Sequence, residues 1–212
     1  MAPRINPGDF RSSSLSEGRC FVYVFPCAYE DILKLGFSRD PIGRLQALHH
    51  RYFDFFDLDR AFLIQTETVL DARRLESSLG RSIDLHNAPA PLVIRREAAG
   101  HTEWYRGACN QLAMAAQELS ADGYLLHQPI RPWVRQNLIA RSDRLFFWSS
   151  EMLNAIVSDP HIDEATRAAQ CTLRDALDAC TALDIDLEPM VSDTVLRWHR
   201  TVSGKSLDTG NT

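Results

Sequence analysis

Glu76 is the side chain whose position in the sequence most directly suggests chemistry. If residues 68–83 form a helix at about 100° per residue, Glu76 points into an apolar arc, between Val69 and Ile83. The remaining members of that arc are Ala72, Leu75 and Leu79. A carboxylate that faces a protein core is costly unless it pairs with a cation or binds a metal. The pattern therefore predicts either a structural ion pair at the edge of the arc or a metal ligand.

A set of short motifs surrounds this glutamate in a fixed order. Phe21-Val22-Tyr23 is followed after ten residues by Lys34-Leu35-Gly36, and residues 36–44 then read Gly-Phe-Ser-Arg-Asp-Pro-Ile-Gly-Arg. Leu75-Glu76-Ser77-Ser78-Leu79 comes later, and Thr102-Glu103-Trp104-Tyr105 ends the set. Over about residues 20–107, this order and spacing resemble the GIY-YIG nuclease superfamily. The nearest resemblance is to its phage-type branch, which reads KIG where other members read YIG.

The resemblance implies metal-dependent hydrolysis of nucleic-acid phosphodiesters by an endonuclease, with DNA favoured over RNA. By position, Tyr23 corresponds to the first motif tyrosine, which helps to activate the attacking water, and Lys34 stands in place of the second. Arg44 corresponds to the catalytic arginine. Glu76 corresponds to the glutamate that binds one divalent cation, Mg²⁺ or Mn²⁺.

The residue types suit this chemistry on physical grounds. The transition state of phosphodiester hydrolysis gathers negative charge on the non-bridging oxygens, and the planar guanidinium of Arg44 stabilises such charge. A hard cation on the Glu76 carboxylate polarises the phosphoryl oxygen and the leaving oxygen. A phenol or an amine, such as Tyr23 or Lys34, moves a proton if its pKa is lowered.

Each of these residues also has a purely structural interpretation. Arg44 suits a solvated helix face, Tyr23 suits a core position with its hydroxyl at the surface, and Lys34 suits the solvent face of an alternating strand. Ser38 and Asp40 are predicted to form the turn and the N-cap of the following helix.

Arginines near the motifs are candidates for phosphate contacts. They are Arg39, Arg73, Arg74, Arg81, Arg95 and Arg96. Arg95 and Arg96 are favoured because they lie on a segment that reads as extended, near the candidate site. His49 is a weaker candidate, since it lies about 140° from Arg44 around the helix.

The elements expected to position these side chains form a small α/β domain. Strands are predicted at residues 20–25, 32–37 and 60–66, with a short strand at 102–105. Helices are predicted at residues 41–50 and 68–83, and residues 52–59 are predicted to form a loop. The expected fold is a mainly antiparallel three-stranded sheet flanked by helices.

Residues 108–212 show an all-helical pattern. Helices are predicted at residues 108–119, 133–157 (one helix or two), 163–183 and 189–202. The aromatic cluster at residues 145–148 is predicted to be buried. The expected organisation is a flexible arm (1–18), a nuclease-like domain (19–107), a helical extension (108–202) and a tail (203–212).

The formal net charge of −5 is distributed unevenly. Residues 1–107 hold 14 basic and 14 acidic side chains, whereas residues 108–212 hold 9 basic and 14 acidic ones. Net acidity excludes nucleic-acid binding by bulk charge, but it is compatible with a local cationic site. The acidic helical half is expected to brace the first half, to contact another protein or to form a homodimer.

The cysteines and the apolar runs favour a cytoplasmic protein with no membrane association. The five cysteines match no zinc-ligand spacing and are interpreted as reduced thiols. No apolar run approaches a membrane span of about 20 residues, and residues 1–18 lack the apolar core of a signal peptide.

Two alternatives to a nuclease remain open from the sequence. Lys34 at the second tyrosine position, together with the neutral first half, is compatible with a catalytically inactive module that binds nucleic acid or protein. The other alternative is a helical interaction protein whose first half resembles a nuclease by accident.

Overall fold

A run of seven buried residues, Cys20–Pro26 (β1), forms the centre of the protein. Its side chains alternate between the two faces of a sheet, so both faces must be covered by other elements. β1 pairs on one side with Ile32–Ser38 (β2) and on the other with Phe62–Thr66 (β3), both antiparallel. Tyr23 is directly opposite Gly36 in this register.

The computed structural model describes residues 19–94, 102–158 and 163–205. Within them, three short strands extend the sheet: Asn87–Ala88 (β4), Trp104–Arg106 (β5) and Leu125–His127 (β6). The order of the strands is β4-β5-β2-β1-β3-β6.

The prediction of a three-stranded sheet is therefore wrong, because the sheet has six strands. The three central strands and the short strand β5 were expected, but β4 and β6 span only two or three residues. Such segments are too short to show an alternating pattern. β6 also lies in the region predicted to be all-helical, where it pairs with β3.

The helices fall close to the predicted segments. They are Pro41–Leu48 (α1), Tyr52–Phe55 (α2), Val69–Ser82 (α3), Cys109–Ala121 (α4), Arg131–Ile139 (α5), Ser142–Ser158 (α6), Glu164–Ala182 (α7) and Asp193–Lys205 (α8). The segment predicted as a loop contains α2, which buries Tyr52 and Phe53. The long predicted helix is two helices, α5 and α6.

The two faces of the sheet support different sets of helices. On one face, Tyr23 and Phe25 pack in a cluster with Ile42 and Leu45 of α1 and with side chains of α5 to α8. On the opposite face, Val22 packs with side chains of α3 and α4. Helices α1 and α3, which carry two of the candidate residues, thus lie on opposite faces of the sheet.

The aromatic cluster of α6 is only partly buried. Leu145 and Trp148 pack against the core, but Phe147 is 69% exposed and Phe146 is 40% exposed. The prediction of burial is wrong for these two phenylalanines, because a helix on the outside of the core cannot turn four consecutive residues inward. No helix within the described ranges has the length and hydropathy needed to cross a membrane.

Candidate functional site

An open cleft of about 330 Å³ lies where α1 and α3 approach the end of β2. It is lined by Tyr23, Gly36, Phe37, Arg44, Arg73, Glu76 and Glu103. Three of the four residues predicted to be catalytic, Tyr23, Arg44 and Glu76, therefore share one cleft.

The short length of β5 explains why the cleft forms at this point. β5 pairs with residues 32–34 of β2, and the backbone N–H of Leu35 then donates to the Glu103 carbonyl. The described part of β5 does not continue alongside Gly36. Side chains from α1 on one face and α3 on the other consequently meet around this part of β2.

Tyr23 and Arg44 are joined directly. The Arg44 Nε–H donates to the Tyr23 hydroxyl oxygen at 3.1 Å, and the Tyr23 ring stacks on Phe25 with centroids 4.3 Å apart. Burial raises the pKa of Tyr23, and the nearby Arg44 charge opposes that rise only in part. The phenol is therefore protonated at neutral pH, and its O–H remains available as a donor.

Gly36 leaves the space that the Tyr23 ring occupies. A Cβ built on Gly36 would overlap the Tyr23 hydroxyl oxygen and lie 2.6 Å from its Cζ. Because the ring is held by its stacking on Phe25, it cannot move aside freely.

Gly36→Ala is expected to lower the free energy of unfolding by about 1–3 kcal/mol, the usual range for overpacking. Urea unfolding measures the loss. Gly204→Ala on α8 is the matched control, since a Cβ there meets no atom within 4 Å. Equal stability of the two variants would contradict the contact.

Glu76 is half-buried on the α3 side of the cleft. Burial raises the pKa of its carboxyl and the nearby charge of Glu103 raises it further, while Lys34 and Arg73 oppose the shift. A cation bound to Glu76 would offset both the cost of burying its negative charge and the repulsion between Glu76 and Glu103.

The donor set fits a hard divalent cation. Mg²⁺ is commonly held by one or two carboxylates together with water and substrate phosphate oxygens. Glu76 supplies one such carboxylate to the cleft. The described residues contain no group of three or more His, Cys, Asp or Glu side chains that could hold a metal ion. Water and substrate oxygens would therefore have to complete the coordination of a cation on Glu76.

Lys34 lies beneath the cleft and is fully buried. Its ammonium donates to the Thr102 carbonyl oxygen at 2.7 Å and to Glu103 Oε2 at 2.9 Å. Burial lowers the pKa of Lys34, and the bond to Glu103 opposes that change. The interpretation of Lys34 as the solvent face of a strand is wrong, because this face of β2 is covered by Trp104 and the surrounding core.

Glu103 is a site residue that the sequence reasoning missed. It lines the cleft with a side chain that is 46% exposed, and it has a positive φ of 59°, which is uncommon for a residue with a side chain. Backbone strain of this kind is concentrated at functional sites. The available signal was its place in the Thr102-Glu103-Trp104-Tyr105 motif.

The remaining candidates are dispersed. Arg73 lines the cleft, whereas Arg39 is exposed just beyond β2 and is not among the residues lining it. Arg95 and Arg96, predicted to bind substrate, lie outside the described residues. His49 stacks on Phe55 with centroids 4.4 Å apart and lines a different, smaller cavity.

Asp40 holds the N-cap position of α1, but its side chain makes no capping hydrogen bond. Its carboxylate instead accepts a hydrogen bond from Arg141, which lies between α5 and α6, at 3.2 Å. The predicted turn is present, since the backbone N–H of Asp40 donates to the Ser38 hydroxyl oxygen.

Comparison of the chain with protein-family models, curated proteins and solved structures finds no significant match.

Proposed function

We propose that this protein is a metal-dependent endonuclease that hydrolyses nucleic-acid phosphodiesters, with DNA favoured over RNA. The observation that carries the proposal is the meeting of Tyr23, Arg44 and Glu76 in one open cleft. They come from β1, α1 and α3, and the motifs that contain them are separated by many residues.

The chain's own groups have distinct roles in the proposed reaction. The Arg44 guanidinium is fixed by its bond to Tyr23 and stabilises charge on a non-bridging phosphate oxygen. Tyr23 was expected to help activate the attacking water, but burial raises its pKa instead of lowering it. In this proposal its phenol donates a hydrogen bond to the same phosphate group. Glu76 holds Mg²⁺ or Mn²⁺, which when bound polarises the phosphoryl oxygen.

The charge of the cleft supports a dependence on a cation. The positive charges of Arg44 and Arg73 are balanced by the negative charges of Glu76 and Glu103. A divalent cation gives the cleft a net positive charge and so attracts an anionic backbone.

The test is cleavage of supercoiled and branched DNA in Mg²⁺ or Mn²⁺, with chelator as the reference and RNA as a second substrate. Wild type is expected to cut DNA only when the cation is present, and Glu76→Gln is expected to lose that activation. Glu118→Gln, an exposed carboxylate on α4, is the matched control and should cut like wild type. Full activity of Glu76→Gln would contradict the proposed metal site.

One observation favours the alternative of a module that binds without cutting. Lys34, at the second motif tyrosine, is buried in an ion pair with Glu103 and does not line the cleft. DNA binding by wild type without cleavage of any substrate, under every cation condition, would support this alternative and overturn the nuclease.

A further inference from the structure

We propose that Glu103 accepts the proton of the attacking water and that Lys34 is a positioning residue that holds the Glu103 carboxylate in place. This inference rests on the proposed nuclease function and extends it to two residues with separate roles.

The geometry of Glu103 supports the role of proton acceptor. Its half-exposed carboxylate forms part of the cleft wall, on the same cleft as Arg44 and Glu76. Oε2 is held by the Lys34 ammonium at 2.9 Å. The same ammonium also donates to the Thr102 carbonyl oxygen at 2.7 Å. The Glu103 carboxylate is therefore hydrogen-bonded to a buried group that is itself held in place.

The remaining cleft groups are poorly suited to take a proton. Tyr23 is buried, and its hydroxyl oxygen already accepts a hydrogen bond from Arg44. The guanidiniums of Arg44 and Arg73 carry hydrogen-bond donors and no acceptor. Glu76 is committed to the cation in the proposed function, which leaves Glu103 as the cleft carboxylate that is not assigned to the metal.

Lys34 cannot itself reach the reacting atoms. It is fully buried and is not among the residues that line the cleft, whereas its partner Glu103 is. The ion pair with the buried ammonium fixes the orientation of the Glu103 carboxylate, which is the contribution of a positioning residue. Glu103 also interacts electrostatically with three other ionisable groups, Tyr23, Glu76 and Tyr105.

The proposed step balances without an added reactant. The water oxygen forms a bond to phosphorus while its proton passes to the Glu103 carboxylate, and the bond between phosphorus and the leaving oxygen breaks. The leaving alkoxide takes a proton from solvent water, and Glu103 later returns its proton to solvent. The products are a phosphomonoester and an alcohol.

The test measures single-turnover cleavage by Glu103→Gln across about pH 6 to 9. Glutamine keeps an oxygen for the Lys34 bond but accepts no proton, so a loss of about 10²-fold is expected near pH 7. The variant should then depend on hydroxide, so that its rate rises about tenfold per pH unit and its deficit relative to wild type shrinks as the pH rises. Glu118→Gln is the control and should follow wild type.

A double-mutant cycle tests the role of Lys34. Lys34→Met is expected to slow cleavage by itself but to add little to Glu103→Gln, because both act through one carboxylate. Unfolding curves of all variants show that the fold is retained. Additive losses would overturn the positioning role.

The outcomes separate this inference from the proposed function. If wild type cuts DNA and Glu103→Gln is slower but keeps the wild-type pH dependence, Glu103 is structural and the proton-acceptor role is overturned while the nuclease stands. If Glu103→Gln cleaves DNA as fast as wild type, the proton-acceptor role is likewise overturned and the nuclease stands. If wild type cuts no substrate with either cation, both the function and this inference are overturned.

Discussion

Arg44→Ala is expected to reduce single-turnover cleavage by about 10²–10³-fold, the range measured when one preorganised donor to a developing oxyanion is removed. Arg44 is half-buried in the cleft and is oriented by its bond to Tyr23. The loss is expected in the chemical step. The guanidinium interacts most strongly with the phosphate oxygen in the transition state, when negative charge has developed on that oxygen.

Two further variants make the Arg44 result interpretable. Arg44→Lys keeps the charge but loses the planar fork and the Nε bond to Tyr23, so an intermediate rate is expected. Arg167→Ala removes an exposed arginine from α7 and should leave cleavage unchanged. If Arg44→Ala cuts like Arg167→Ala while Glu76→Gln is inactive, the assignment of Arg44 is wrong.

Arg51→Ala is expected to cause the largest loss of stability, about 2–3 kcal/mol of the free energy of unfolding, somewhat less than for a fully buried ion pair. Arg51 Nη1 donates to Asp175 at 3.0 Å and to Asp178 at 2.9 Å. Its Nε and Nη2 bind Asp54. Removal of this one cation leaves Asp175 and Asp178 close together on α7 without their shared partner.

The destabilisation caused by Arg51→Ala is expected to depend on pH. Burial by itself would raise the pKa of Asp178, but the bonds from His199 and Arg51 outweigh it and hold the pKa below its ordinary value of 3.8. A carboxyl whose pKa is lowered in the folded state contributes stability above its unfolded pKa, and that contribution is lost as the pH falls through the folded pKa. The difference between wild type and Arg51→Ala is therefore expected to be largest near neutrality and to shrink below about pH 4.

Urea unfolding at a series of pH values measures both effects. Arg167→Ala serves as the control for loss of an exposed arginine on the same helix as the two aspartates. A destabilisation that is the same at neutral and acidic pH would show that Arg51 acts by packing on Phe53, 4.8 Å from its guanidinium, rather than by charge.

Arg51 also shows how the two halves of the chain are joined. It lies just before α2 in the first half, and two of its three acidic partners are on α7 in the second. Arg141 makes a similar link to Asp40 at the start of α1. The helical half therefore contacts both ends of the helix that carries Arg44, which makes it a support for the site.

Much of the local structure was predictable from short stretches of sequence. The Asp40-Pro41 start of α1, the apolar arc of α3 and the unbroken apolar run of β1 each depend on fewer than about 20 neighbouring residues. Glu76 was identifiable for the same reason, since a carboxylate within an apolar arc can be recognised from periodicity alone.

The short strands were not predictable, and they determine the shape of the site. β5 places Glu103 beside Lys34, although the two residues are 69 positions apart. A three-residue strand has no periodic signal, and its register is set by pairing with β2. The exposure of Phe146 and Phe147 was missed for a similar reason, because composition does not show which side of a helix meets the core.

By itself the sequence determined the residue types available for chemistry and the elements that carry Tyr23, Arg44 and Glu76. Only the tertiary structure decided that these three meet in one cleft, that Lys34 lies beneath it and that Glu103 reaches its wall. The physical reason is that helix and strand patterns are local, whereas the cleft is made by strand pairing and by packing on two faces of one sheet.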